Sequence, residues 1–181
     1  MTSQRRWLHR VKEGRAIIAC IMAALLLATA GMAADLSGGL GDLTGVRDVY
    51  ILVEGLHEEG ARRSGLSSAA LRTTLEAGLV RSNTVRVVAP GTEVPYIYLN
   101  VGVMPLDGAP NCVYTVRLAL DESALVTRGE QVVRVYSAQT WHAMGTFGVA
   151  RDGDVSSVVR DAIGRMVDQF TVKWARDNPR E

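Results

Sequence analysis

The clearest periodic signal lies near the C-terminus. Between residues 154 and 176, apolar side chains fall at Val155, Val158, Val159, Ala162, Ile163, Met166, Val167, Phe170, Trp174 and Ala175. That is the i, i+3, i+4, i+7 spacing of one helical face. Arg160, Asp161, Arg165, Asp168, Gln169, Lys173 and Asp177 take the other face. Asp152 or Asp154 can cap the start, because a short carboxylate accepts hydrogen bonds from the free N–H groups of a first turn. Pro179 marks the stop. A stripe this wide, ending in Phe170 and Trp174, has to cover an apolar surface, and the upstream pattern predicts a sheet.

Residues 49–53 form a short apolar run, which predicts a covered strand. Residues 54–65 read as a polar loop. A helix is expected over 67–81, with Ser67 as N-cap and Leu71, Leu75 and Leu79 one turn apart. Strands follow at 84–88 and 96–104. In the second, Ile97, Leu99, Val101 and Val103 alternate with Tyr96, Tyr98, Asn100 and Gly102, so one face points to a core. Residues 113–126 form the longest strand, with a bend or bulge at 121–123. A turn at 127–130 returns the chain through 131–141, and 145–149 leads towards the last helix. The order β-α-β-β-β-β-α predicts an α+β two-layer sandwich, an antiparallel meander packed by two helices.

The first 34 residues stand apart. The formal net charge of +1 divides into +4 on residues 1–15, none on 16–34 and −3 from Asp35 onward. A basic start, an apolar run and small residues at Ala28-Thr-Ala30 and Gly31-Met-Ala33 make the pattern of a secretory signal. The same run, residues 16–34, is just long enough to span a bilayer as an uncleaved anchor, with the basic side inside. Both readings export the domain, to the periplasm or to the outer face of the inner membrane, and confine membrane contact to residues 16–34. Residues 35–46 read as a flexible glycine-rich linker, and 47–179 as one α+β domain. The slightly acidic domain argues against nucleic-acid binding, which needs a concentrated basic surface.

Candidate chemistry is sparse. His57 and His142 are the histidines outside the targeting segment. His57-Glu58-Glu59 lacks the second histidine of a zinc protease helix, and no set of His and Cys has metal-ligand spacing. Glu54 with these three could bind a hard cation, but no calcium-loop motif is present. Arg62-Arg63 reads as a solvated pair. Cys20 lies inside the targeting run, which leaves Cys112 alone in the domain, as a covered strand residue or as a thiol that pairs between molecules. No catalytic set, metal site or cofactor is expected. The Tyr96, Tyr98, Asn100 row can bind a partner or ligand on an open sheet face, or lie under another element. Trp141 and His142, at a strand end, can line a pocket, or Trp141 can close the core against Phe147.

Pro95-Tyr-Ile-Tyr-Leu99, Tyr114-Thr-Val-Arg-Leu118, Tyr136-Ser-Ala-Gln-Thr-Trp141, Arg160-Asp-Ala-Ile163, Val167-Asp-Gln-Phe170 and Asn178-Pro179 together resemble a loose family of small exported bacterial α+β proteins of unassigned activity. The layout over residues 49–179 is also similar, at fold level, to small domains of envelope proteins such as the curli-secretion lipoprotein and the N-terminal domain of the Tol translocation protein. The resemblance implies a fold and carries no site residues. The expectation is a non-enzymatic binding or accessory module whose partner is another envelope protein or membrane complex. The alternatives are a single-pass accessory subunit of an inner-membrane complex, or a small exported hydrolase using His57 or His142 with nearby carboxylates.

Overall fold

The computed structural model describes residues 39–54, 56–91 and 93–179. The expected targeting segment, 1–34, and the start of the expected linker lie outside these residues. The elements are β1 (Leu40–Gly41), β2 (Asp48–Val53), α1 (Glu58–Ser64), α2 (Ser68–Ser82), β3 (Arg86–Val87), β4 (Tyr96–Pro105), β5 (Asn111–Arg128), β6 (Gln131–His142), β7 (Thr146–Arg151) and α3 (Val155–Asp177).

The strands make one curled, half-barrel sheet in the order β1-β6-β5-β4-β2-β3, with β7 joining beside the first half of β5. β4, β5 and β6 pair antiparallel in sequence, and β7 is antiparallel to β5. β2, however, runs parallel to both β3 and β4. The sheet is therefore mixed, which corrects the expected antiparallel meander. After β2 the chain crosses through α1 and α2, and a helical crossover returns a strand parallel to the one it left. Period-two alternation says which face is covered and nothing about direction.

A third helix, α1, occupies residues 58–64 of the stretch expected to be a polar loop. α1 is seven residues long and has no apolar stripe. Tertiary contacts hold it: Arg63 donates from Nε and Nη2 to Asp152 Oδ2, at 3.0 and 2.6 Å, and from Nη2 to the Ala109 carbonyl. Arg63 is thus paired, not a solvated partner of Arg62. A Cβ at Gly60 would stand 2.3 Å from the Val103 carbonyl oxygen, so glycine lets α1 lie directly on β4.

α2 begins where its sequence indicates, with Ser67 Oγ accepting from the Ala70 N–H, and it buries Leu71, Leu75 and Leu79. α3 buries most of its expected stripe, from Val155 to Phe170. Asp154 sits at its N-cap without a side-chain cap bond, because Asp152 is engaged by Arg63 and Asp154 has turned into helical geometry. Ile97, Leu99, Val101 and Val103 of β4 meet the helices together with Val116, Leu118 and Leu120 of β5.

Trp141 is completely buried and meets Phe170 edge to face, ring centres 5.2 Å apart. The expected partner, Phe147, is 83% exposed. Strand register explains the exchange. Trp141 lies opposite Leu120, which faces the helices, whereas Phe147 lies opposite Thr115, which faces away.

Part of the stretch read as a linker is built in. β1 pairs with the end of β6, Leu43 is fully buried, and its N–H donates to Asp177 Oδ2 at 2.8 Å. Trp174 Nε1 donates to the Val46 carbonyl. Gly41 makes the crossing possible. Its φ is +121°, and a Cβ there would fall 2.0 Å from the Thr140 carbonyl oxygen.

Candidate functional site

α2 and α3 lie on one face of the sheet and leave the other open. β4 sets that face. Because successive side chains alternate, burying Ile97, Leu99, Val101 and Val103 turns Tyr96, Tyr98, Asn100 and Gly102 outwards, half-buried. Parallel pairing places Tyr50 beside Tyr96, their rings 5.2 Å apart, and Leu52 beside Tyr98. It also brings Glu54, just past the end of β2, level with Asn100.

Tyr98 donates its hydroxyl, and Asn100 its Nδ2 amide, to the same oxygen of Glu54, Oε2. Oε1 is left without a donor among the described residues. The two bonds, Tyr98 first, hold the Glu54 carboxyl below its ordinary pKa. The same bond, followed by partial burial and the carboxylate charge, pushes the Tyr98 phenol above its ordinary value. Glu54 is therefore a fixed anionic acceptor on an exposed surface.

The polar row continues across the sheet. Arg117 stands opposite Asn100 and donates to Gln139 Oε1 at 2.5 Å. Gln139 Nε2 lies 3.1 Å from His142 Nδ1. Tyr96 and Ser137 share a 2.6 Å hydroxyl contact on the same face. The structure thus brings Tyr96, Tyr98, Asn100 and His142 onto one surface and separates Trp141 from them, in the core on the other side of the sheet.

Beside Glu54 the surface opens into a groove of about 650 Å³ between the start of α1 and strands β4 and β5. Met104, Pro105 and Val113 give it an apolar floor; Glu54, Glu59 and Asp107 give it three carboxylates, and none of its lining residues is Lys or Arg. His57 lines it too, but among the described residues no three His, Cys, Asp or Glu side chains gather as a metal cluster.

Cys112 takes no part in this surface. It is fully buried on the helix side of β5, and its Sγ donates to Asp152 Oδ1 at 3.1 Å. Burial, then the bond to Asp152, raises its pKa, which keeps it a thiol. His142 faces the opposite side of the sheet, so the two do not pair. Asp152 itself lies below the ordinary carboxylate range, held there by Arg63 and then by Cys112.

Arg117, Gln139 and the groove carry no signal in the sequence, and Glu54 stands out there only with His57, Glu58 and Glu59 as a candidate cation set, not as the partner of Tyr98 and Asn100. Glu54 meets Tyr98 and Asn100 only through the parallel β2–β4 pairing, for which the sequence has no signal. A turn-flanked Tyr-x-Tyr-x-Asn row was the one available clue.

No family model matches this chain, and no curated protein does. Solved structures that it resembles include a PelC dodecamer from Paraburkholderia phytofirmans, 15% identical with a TM-score of 0.47, over 73% of this chain and 94% of that one. A minor lipoprotein from Acinetobacter baumannii is 9% identical with a TM-score of 0.35, over 75% and 95% of the two chains. The rare lipoprotein B from Shewanella oneidensis is 13% identical with a TM-score of 0.31, over 72% and 95%.

Proposed function

We propose that this chain is an exported, non-enzymatic binding or accessory module that docks another envelope protein on the open face of its sheet. The observation that carries the reading is the Glu54 carboxylate, fixed by Tyr98 and Asn100 beside an apolar, acid-rimmed groove. Oε1 remains available to a donor from outside. A preorganised acceptor next to apolar surface suits a protein segment that presents a basic or amide side chain beside an aliphatic one. Export rests on the basic and apolar pattern of residues 1–34. The uncharged run 16–34 also supports a second reading, in which the segment stays uncleaved and the chain is a single-pass accessory subunit of an inner-membrane complex.

The test uses the tagged full chain in its native host. Intact mass in the soluble and membrane fractions distinguishes cleavage from anchoring. Crosslinked partners are quantified for the wild type, Glu54→Gln and Tyr98→Phe. Recovery of one envelope protein should fall roughly tenfold in Glu54→Gln, which corresponds to about 1.4 kcal/mol of binding. Recovery of a partner unchanged in both variants, or a chain retained in the cytoplasm, would overturn the proposal.

A further inference from the structure

The Glu54 carboxylate is used on one side only. A carboxylate has two oxygens and roughly four lone-pair sites. Tyr98 and Asn100 both donate to Oε2 and so fill that oxygen, while Oε1 has no donor among the described residues. Asn100 commits its Nδ2 to Glu54 and keeps Oδ1 as a second open acceptor. Both side chains line the groove. Along β4 the next outward position is Gly102, which presents no side chain, and the one after it is Met104. The two acceptors are therefore followed by a gap and then by apolar surface, over roughly 14 Å from Asn100 to Met104 at 3.4 Å per residue. Glu59 and Asp107 also line the groove, and no Lys or Arg does. Arg117 stands opposite Asn100 but donates to Gln139, and Arg151 lies opposite Asn111, outside the lining. Neither bonds Glu54.

We infer that the groove selects lysine: the ammonium of a lysine in the docked envelope segment sits on Glu54 Oε1 and Asn100 Oδ1, and its stem lies over Gly102 towards Met104. The inference deepens the reading above and rests on it, since it narrows the partner's donor to one side chain. Arginine fits this acceptor less well. A guanidinium gains its strength from a fork of two parallel N–H groups that meets both oxygens of a carboxylate. Tyr98 and Asn100 already fill Oε2, so the fork finds one oxygen only. An ammonium is a compact point charge with three rotatable donors, and it is satisfied by single acceptors at varied angles. A side-chain amide brings no charge to a groove rimmed by Glu54, Glu59 and Asp107. The four-carbon stem of lysine covers apolar surface while its head stays at the polar edge, which matches the order of acceptors, gap and Met104 along β4. Tyr98 and Asn100 are thus specificity-determining residues, because they decide which cation the carboxylate can receive.

Titration of the full chain in mild detergent, followed by nuclear magnetic resonance, tests this. The probes are two acetylated and amidated pentapeptides, Ala-Val-Lys-Val-Ala and Ala-Val-Arg-Val-Ala. The wild type should bind the lysine peptide at least about threefold more tightly than the arginine peptide, for want of the second bond of the fork. Glu54→Gln should weaken the lysine peptide about tenfold. Tyr98→Phe combined with Asn100→Ala frees Oε2 and should turn the preference towards arginine. Circular dichroism checks the fold, and Tyr98→Phe alone, which should narrow the preference, replaces the double variant if that unfolds. Equal affinities in the wild type, a preference for arginine, no binding of either peptide, or a preference that the Oε2-freeing variant leaves unchanged would overturn the inference. So would n-butylamine binding as tightly as the lysine peptide, since a free amine would then be the ligand. If the lysine assignment fails while Glu54→Gln still lowers recovery of the envelope partner in the native host, the docking reading stands. If that recovery is unchanged as well, both fall.

Discussion

Replacing Phe170 by alanine removes the aromatic ring that closes the core over Trp141. Phe170 is fully buried on α3 and meets Trp141 edge to face at 5.2 Å. Truncating a buried phenylalanine costs about 3–5 kcal/mol through lost burial and the cavity left behind, a figure that includes the partner contacts of the ring. Edge-to-face pairing accounts for about 0.5–1.5 kcal/mol of such a contact. A domain holds only about 5–15 kcal/mol in all, so the variant should fold marginally. For a domain of this size each kcal/mol lowers Tm by about 3 °C, which gives a fall of roughly 10–15 °C. Phe147→Ala is the internal control: the same substitution at a residue 83% exposed should change the intrinsic stability by less than about 0.5 kcal/mol. Urea titration followed by tryptophan fluorescence and far-ultraviolet circular dichroism measures both. A loss below about 1 kcal/mol for Phe170→Ala, or equal losses at the two sites, would refute the register that separates these phenylalanines.

Three further outcomes follow from the geometry. Gly41→Ala forces a Cβ to within 2.0 Å of the Thr140 carbonyl at a φ of +121°, so it should cost about 2 kcal/mol or more by strain or by release of β1, read as a lowered urea midpoint. Asp152→Asn should destabilise the protein at neutral pH, and the gap to wild type should close as pH falls. The folded pKa of Asp152 lies below its unfolded value, so its contribution is complete above the unfolded pKa of about 3.9 and is lost as pH falls through the folded one. A gap that persists in acid would refute the role given to the Arg63 pair. Finally, Glu54→Gln should lower the pKa of Tyr98, which the carboxylate now raises. Difference titration of the phenolate absorbance, with Tyr98→Phe to assign the signal, reads this shift, and an unchanged profile would contradict the Glu54–Tyr98 bond.

How much of this could be read from sequence depended on whether local pattern decides the feature. α3 and α2 announced themselves through 3.6-residue stripes, and Ser67 caps α2 as its chemistry indicates. The strand alternation at Ile97, Leu99, Val101 and Val103 correctly separated covered from open faces on β4. Strand direction did not show, because β2 becomes parallel to β4 only through the crossover of α1 and α2. α1 did not show either, since its Glu-Glu-Gly-Ala-Arg-Arg-Ser sequence has no apolar face and depends on Asp152, 89 residues away from Arg63. The candidate site divides in the same way. Tyr96, Tyr98 and Asn100 were legible as one row, whereas Glu54 joined them only through long-range pairing. Trp141 and His142 are neighbours in sequence, and alternation alone put one in the core and the other on the open face.

The most direct test of the working surface is site-specific photocrosslinking in the native host. A benzophenone side chain at Leu52, beside Tyr98 on the open face, is compared with one at Arg160, exposed on the outer side of α3. The account predicts discrete adducts from position 52 to another envelope protein, and none from position 160. Adducts from position 160 with none from position 52 would show that the helical side is the docking surface and contradict the account.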